Sequence, residues 1–209
     1  MIDLQKRGDG SNTGTATSSG PLPDTQTGNA GQKNPQSADA HVLIRRPTPD
    51  DRAEFIAQMR ASEHLHRPWI FPPTSASAYD DYLRRVERDD HLGFLVCEKR
   101  SGRLAGVINI NNIVRNAFLS ASLGYYAVAA LGGRGYMQAG LRLVTAYAFR
   151  DLHLHRLEAN IQPANERSKA LVRATGFRLE GLSPAYLFID GAWRDHERWT
   201  LVDHRKGLY

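Results

Sequence analysis

A chain of 209 residues, 41% hydrophobic and 23% charged, has the size and composition of one soluble domain plus a less ordered segment. Its formal charge of +5 is spread along the chain, which suits acidic ligands such as a phosphorylated cofactor and argues against direct nucleic-acid binding. The single cysteine, Cys97, lies in the apolar run Leu92-Gly-Phe-Leu-Val-Cys, reads as a small core residue and excludes a disulfide or a thiolate metal cluster. No run is apolar enough over sufficient length to span a bilayer and none has signal-peptide character, so a cytoplasmic protein without a membrane partner is expected.

Residues 5 to 39 are dominated by Gly, Ser, Thr, Pro, Asn and Gln, with too few large apolar side chains to offset ordering entropy. They predict a disordered arm over 1–40, followed by one domain over 41–203 and a tail over 204–209. His41 to Arg46 reads as a strand. Thr48-Pro49-Asp50-Asp51 then supplies a helix start, with a cap, a proline in the first position and an acid in the third. Phe55 and Met59, four apart, mark that helix's buried stripe. A loop of aromatics and prolines, Pro68-Trp69-Ile70-Phe71-Pro72-Pro73, leads to a second helix over 78–89 with Tyr82, Leu83 and Val86 inward. Three strands follow, over 92–98, 104–111 and 119–127, separated by hairpin-like turns at Lys99-Arg100-Ser101-Gly102 and Val114-Arg115-Asn116.

The stretch Gly124-Tyr-Tyr-Ala-Val-Ala-Ala-Leu-Gly-Gly-Arg-Gly-Tyr-Met-Gln138 runs from a strand through a glycine loop straight into a helix. Glycines let backbone approach a ligand closely, and the first amides of a helix lack internal partners and sit at the positive end of its dipole, so the ligand expected there is an anion. The alternative is that the glycines only turn the chain. No Gly-Lys-Ser/Thr follows, which excludes a P-loop, and Gly133-Arg134-Gly135 lacks the third glycine of a dinucleotide fingerprint. The helix after the loop carries Met137, Leu141, Val144 and Ala148 at helical spacing. A strand near 155–161 comes next, then a helix opening at Asn165-Glu166-Arg167-Ser168 and stopping at Gly176. Tyr186-Leu-Phe-Ile-Asp190-Gly191-Ala-Trp-Arg-Asp reads as a closing two-residue hairpin. The order predicts a mixed α/β (α+β) domain.

Taken together, Leu123-Gly-Tyr, Gly133-Arg-Gly-Tyr-Met, His155-Arg-Leu-Glu-Ala-Asn, Pro163-Ala-Asn-Glu-Arg-Ser, Thr175-Gly-Phe, Glu180-Gly181 and Tyr186 through His196 resemble the GNAT acyl-CoA N-acyltransferases. The likeness runs over about 41–203 and is to the RimJ/RimL branch, which acetylates the N-terminal amine of ribosomal proteins. It implies a central, mostly antiparallel sheet flanked by helices, and acetyl-CoA as acyl donor. By position it implies that Gly132, Gly133, Arg134, Gly135, Tyr136 and Met137 bind the coenzyme A diphosphate. Tyr126 and Ala127 are implied, through their backbone, as partners of the pantetheine arm where their strand parts from its neighbour. Asn165 and Ser168 match the family's Asn-x-x-Ser, implied to hold the arm and to serve as acid for the departing thiolate. Their other reading is a helix cap and its first turn. Gly132 departs from the family's usual Arg or Gln, and Met137 from its usual Gly or Ala, a change also found in RimJ-like members.

The chemistry implied is direct attack of a neutral amine on the thioester carbonyl, with no covalent enzyme intermediate. Ser120-Ala-Ser-Leu-Gly-Tyr-Tyr carries no carboxylate, so the glutamate base that many relatives place before the loop is missing. An α-amine near pKa 7.8 is roughly a tenth neutral at pH 7, a lysine near 10.4 only about four parts in ten thousand, a difference of about 3.5 kcal/mol. A protein or peptide N-terminus of ribosomal-protein type is therefore the expected acceptor, bound by a monomer or homodimer. Glu158 and Tyr186 are candidates for proton relay, against the bland readings of an Arg156 ion pair and a packed hairpin aromatic. Trp69, Phe71 and Trp193 are candidates for the substrate mouth. No metal is expected, since His153 and His155 have no acidic or cysteine partner nearby in sequence. The alternatives are acetylation of a small amine, such as an aminoglycoside or polyamine, and a non-catalytic acyl-CoA binder.

Overall fold

The computed structural model describes residues 41–204; the expected arm over 1–40 and residues 205–209 of the tail lie outside the described residues. The elements run β1 (Val42–Arg45), α1 (Arg52–Ala61), α2 (Glu63–His66), α3 (Ala76–Val86), β2 (Leu92–Glu98), β3 (Leu104–Val114), β4 (Ser120–Ala127), α4 (Tyr136–Arg150), β5 (Arg156–Ile161), α5 (Glu166–Ala174), β6 (Arg178–Ile189) and β7 (Ala192–Val202). The strands form one sheet in the order β1-β2-β3-β4-β5-β7-β6. Every neighbouring pair is antiparallel except β4 and β5. No described helix is long and apolar enough to cross a membrane.

Side chains of β2 alternate between two cores, as strand pleating requires. Phe94 and Val96 of β2 join Leu141, Val144 and Ala148 of α4, Val172 of α5 and Phe177 on one face. Leu95 and Cys97 join Phe55 and Met59 of α1, Tyr79 and Tyr82 of α3 and Tyr126 of β4 on the other. Helix α4 seats directly on β2, because a Cβ built on Gly140 would lie 2.7 Å from both Val96 methyls. The opposite core is aromatic: Phe55 packs on Tyr79 at 4.8 Å and edge-on to Tyr126 at 6.3 Å. Its tyrosines need polar partners, and Tyr79 donates to the Thr48 carbonyl at 2.8 Å and Tyr82 to Asn109 Oδ1 at 2.9 Å.

The helix expected over 78–89 begins earlier, at Ala76, because Ser75 Oγ accepts from the Ala78 N–H at 3.2 Å and caps it. Strand β3 extends to Val114 through a bulge after Asn111. The larger departure is β6, which spans 12 residues and begins at Arg178, well before the Tyr186 expected from the turn. It is mostly exposed and lies at the sheet edge, where Gly181 and Pro184 are tolerated. The Asp190-Gly191 turn itself has both residues at positive φ, 51° and 74°, as a two-residue hairpin needs.

The feature that positions the site is where β4 and β5 part. They pair only through Ser120–Ser122 and Arg156–Glu158. Beyond that point Ala159, Asn160 and Ile161 stay with β7. The end of β4 is drawn instead to the α1–α2 segment: Ser62 Oγ accepts from the Ala129 N–H at 2.9 Å, and His66 Nε2 donates to the Ala127 carbonyl at 2.8 Å. Ser62 and His66 are one helical turn apart and both buried. The N–H of Val128 bonds the Ala105 carbonyl at 2.9 Å, so the antiparallel alternation turns the main-chain groups of Tyr126 toward β3 and those of Tyr125 and Ala127 toward the gap.

Candidate active site

Gly133 and Gly135 stand at φ 73° and 79°. Both conformations strongly favour glycine, and a Cβ at either position would meet nothing within 4 Å, so the loop is shaped by backbone conformation with open space beside it. Gly135 is the N-cap residue of α4 and supplies no capping side chain, and the first turn holds no acid. The first helical bond runs from the Ala139 N–H to the Gly135 carbonyl at 3.0 Å, leaving the amides of Tyr136, Met137 and Gln138 without helical partners. Unspent amides, a positive dipole end and no carboxylate suit a diphosphate. The side chains of Tyr136 and Met137 point elsewhere. Tyr136 is buried, donates its hydroxyl to Glu98 and packs on His41 at 5.6 Å. The Ser101 hydroxyl and then that of Tyr136 hold the Glu98 carboxyl below its ordinary range. Met137 lies over Gly106, where an added Cβ would come 2.2 Å from its Sδ. Gly132 is extended, at φ −60° and ψ 152°.

Tyr126, expected to meet the pantetheine arm through its backbone, sits with its ring in the aromatic core and its main chain turned to β3. Ala127 faces the gap with its main chain as expected, Tyr125 does so in place of Tyr126, and His66 already occupies the Ala127 carbonyl. Because a carbonyl only accepts, His66 carries its proton on Nε2, and its buried Nδ1 has no partner. Burial holds this imidazole below its ordinary pKa.

On the α4–α5 side of the gap, Asn165 Oδ1 accepts from the Ser168 N–H at 3.1 Å, so the capping reading of Asn165 holds and its amide nitrogen is left for other use. Ser168 Oγ lies 2.5 Å from the Tyr125 hydroxyl. Burial pushes the Tyr125 pKa up to about 12, against a downward pull from Ser168, so the phenol stays protonated at neutral pH. A small cavity of about 90 Å³ is lined by Tyr125, Gln162, Asn165 and Ser168. On the opposite face of the sheet a cleft of about 590 Å³ is lined by Asn109, Asn111, Ser122, Glu158 and Tyr186, with Trp69 and Phe71 at its wall. The two spaces share Trp69, Ile70, Leu123, Gly124, Asn160 and His196 in their walls, so they abut where β4 and β5 diverge.

Glu158 lines the open cleft and is bound by Arg156 Nε at 2.8 Å; Arg156 also holds Glu180, whose carboxyl is brought down to about 2 by Arg156 and by the Thr200 hydroxyl. The ion-pair reading of Glu158 is thus realised. Tyr186 is 41% exposed and stands edge-on to His196 at 5.9 Å. Trp193, 64% exposed, packs on Phe188 near the hairpin tip, away from the lining of the cleft. Sequence reasoning passed over Tyr125, His66 and His196. Tyr125 had a local signal, as the residue two places before Ala127 on a strand already marked for divergence, and His196 stood at the end of a quoted motif; His66 had none.

Comparison with known proteins agrees with this geometry. Residues 41–178 match the family described as "Acetyltransferase (GNAT) domain". The chain is 36% identical to "Probable N-acetyltransferase YjcK" of Bacillus subtilis over 123 residues, 59% of this chain and 68% of that protein. It is 42% identical over 93 residues to the "[Ribosomal protein uS5]-alanine N-acetyltransferase" of Escherichia coli, a match spanning 44% of this chain and about half, 48%, of that relative. A more distant match, 24% identical over 79% of this chain and 89% of the relative, is the "Spermidine N(1)-acetyltransferase" of Escherichia coli. Among solved structures, Mycobacterium smegmatis RimJ in complex with CoA-disulfide superposes with a TM-score of 0.72 at 27% identity, covering 80% of this chain and 84% of that one. With the diverging β4 and β5, the uncapped glycine loop and this match over most of the described domain, the chain belongs to the GNAT acetyltransferase family.

Proposed function

We propose that this chain transfers an acetyl group from acetyl-CoA to the α-amine of a protein or peptide N-terminus, by direct attack of the neutral amine on the thioester carbonyl. The observation that carries the reading is the gap between β4 and β5, where the cavity lined by Asn165 and Ser168 abuts an open cleft and shares six lining residues with it. The amides of Gly133 through Met137 hold the diphosphate, with Gly132 opening the loop and Arg134 as a nearby cation. The gap-facing main chain of Tyr125 and Ala127, with the amide nitrogen of Asn165, holds the pantetheine arm. Acetyl-CoA supplies the activated thioester. Ser168, backed by the protonated Tyr125 hydroxyl, is placed to give a proton to the leaving sulfur.

Glu158 is the one carboxylate among the described residues lining the cleft, and Arg156 offsets it. A polycation such as spermidine finds little there to recognise. An N-terminal amine, already part neutral at pH 7, asks less of a site without a free carboxylate base than a lysine does, by about 3.5 kcal/mol. The relative named for a ribosomal-protein alanine supports an acceptor of that kind. Thiol release from acetyl-CoA, followed with peptides beginning Ser, Ala or Thr and in parallel with spermidine and an aminoglycoside, tests the reading. Turnover with peptides alone is expected. Turnover confined to the small amines overturns the acceptor, and coenzyme binding without turnover on any amine overturns the enzyme.

A further inference from the structure

His196 is 98% buried by its 2% exposure, lies on β7 just past the end of β5, and is one of the residues common to the small cavity and the open cleft. Its Nδ1 is 2.9 Å from the carbonyl oxygen of Arg194. A carbonyl only accepts, so Nδ1 carries the proton and the neutral ring keeps its lone pair on Nε2. The Tyr186 ring stands edge-on at 5.9 Å and fixes the plane of the imidazole. The Nδ1 edge is thus spent on the ring's own strand, and the Nε2 edge is left for the chamber where the two spaces meet.

We propose that His196 is the proton acceptor for the attacking amine, with Tyr186 as a positioning residue that holds its ring. This rests on the acyl-transfer reading above. In the step, the amine nitrogen forms a bond to the thioester carbonyl carbon and the carbon–sulfur bond breaks. The proton lost by nitrogen goes to His196 Nε2, and the sulfur leaves with a proton from Ser168. The products are the amide and the free thiol; the ring returns its proton to solvent through the cleft, and solvent in turn reprotonates Ser168. This supplies the base that Ser120 to Tyr126 of β4 does not carry. It also favours an α-amine, whose ammonium lies far closer to an imidazole in proton affinity than a lysine ammonium does. The titratable and charged groups that face the two spaces from neighbouring elements are Tyr125 and Tyr126 of β4, Glu158 of β5, Tyr186 of β6, Arg85 of α3 and His91 ahead of β2, and Arg198 is the next residue on the same face of β7.

The test uses the full chain, with whichever amine the wild-type protein turns over as acceptor. His196→Gln and His196→Ala are expected to lower kcat by about 100-fold and to abolish the fall of kcat toward acid pH, with the Kd for acetyl-CoA by calorimetry within threefold and Tm close to wild type. Long-range 1H–15N NMR of the free wild-type protein is expected to show the Nδ1-protonated tautomer of His196. The proposal is overturned if both variants keep kcat within fivefold, if kcat and acetyl-CoA binding fall together, or if the ring is protonated on Nε2. A wild-type protein that turns over no amine overturns the acyl-transfer reading itself, and this assignment with it. A loss confined to the variants bears on His196 alone.

Discussion

The starts of α4 and α5 lie beside the same gap and are built in opposite ways. Helix α5 is closed by Asn165, whose side chain accepts from the Ser168 amide, and has Glu166 in its first turn. Helix α3 is closed in the same manner by Ser75. Helix α4, the longest of the described helices, has a glycine where its cap belongs and no acid behind it. Its stability comes instead from burial along Leu141, Val144 and Ala148. A helix anchored that firmly by its flank can leave its leading amides unsatisfied, and those amides are then free to receive an anion.

Giving α4 the end that α5 has should produce the largest effect. Gly135→Asp places a carboxylate at the N-cap at a φ of 79°, which Asp adopts at a cost of about 1 kcal/mol, so Tm should fall by a few degrees while the fold holds. The same carboxylate opposes a bound diphosphate at a few ångströms. The Kd for acetyl-CoA by calorimetry should rise by about 100-fold or more, near 3 kcal/mol. An affinity within threefold of wild type would show that the loop does not bind the anion.

The reverse exchange is smaller. Asn165→Ala removes the α5 cap and should cost about 1 kcal/mol, read as a fall in Tm of about 2–4 °C. Asn165→Asp keeps the accepting oxygen and loses the amide nitrogen, so Tm should stay near wild type while acetyl-CoA binding weakens. Equal binding by wild type and Asn165→Asp would reduce Asn165 to a cap.

The smallest effect sharpens the comparison from the β4 side. Desolvation lowers the His66 pKa below the ordinary 6.5 in the folded chain, so the folded state binds fewer protons there than the unfolded state. The stabilisation is complete above about pH 6.5 and is lost as pH falls toward the folded value. Tm followed from pH 8 to pH 5 should therefore decline, and His66→Gln should flatten part of that slope. An unchanged slope in the variant would assign the decline to other groups.

The glycine loop could be read from sequence because everything it needs is contiguous: a strand, glycines at positive φ and a helix with an apolar stripe. The cap of α5 was legible for the same reason, as was the Thr48–Asp51 turn ahead of α1, where the Asp51 carboxylate accepts from the Thr48 N–H at 2.8 Å. The pairs that finish the site are not contiguous. Tyr125 and Ser168 are 43 residues apart, and His66 and Ala127 are 61 apart. Nothing near His66 marks it, because its partner is a main-chain carbonyl that any residue could offer. His196 was visible only as part of a motif. Its tautomer depends on a carbonyl two residues away, and its placement on where β5 stops. The reading of β6 failed for another reason: an exposed edge strand interrupted by Gly181 and Pro184 carries no alternating apolar signal to find.

Only three residues on each side stitch β4 to β5, so the sheet behaves as two panels fastened at one end. Tension across the domain concentrates on that short line of rungs. A carrier that lies in the slot and pairs with the exposed main chain acts as additional stitching, and its tight association stiffens the whole scaffold by mass action. Departure of the spent carrier would then coincide with the moment at which the two panels are most free to breathe.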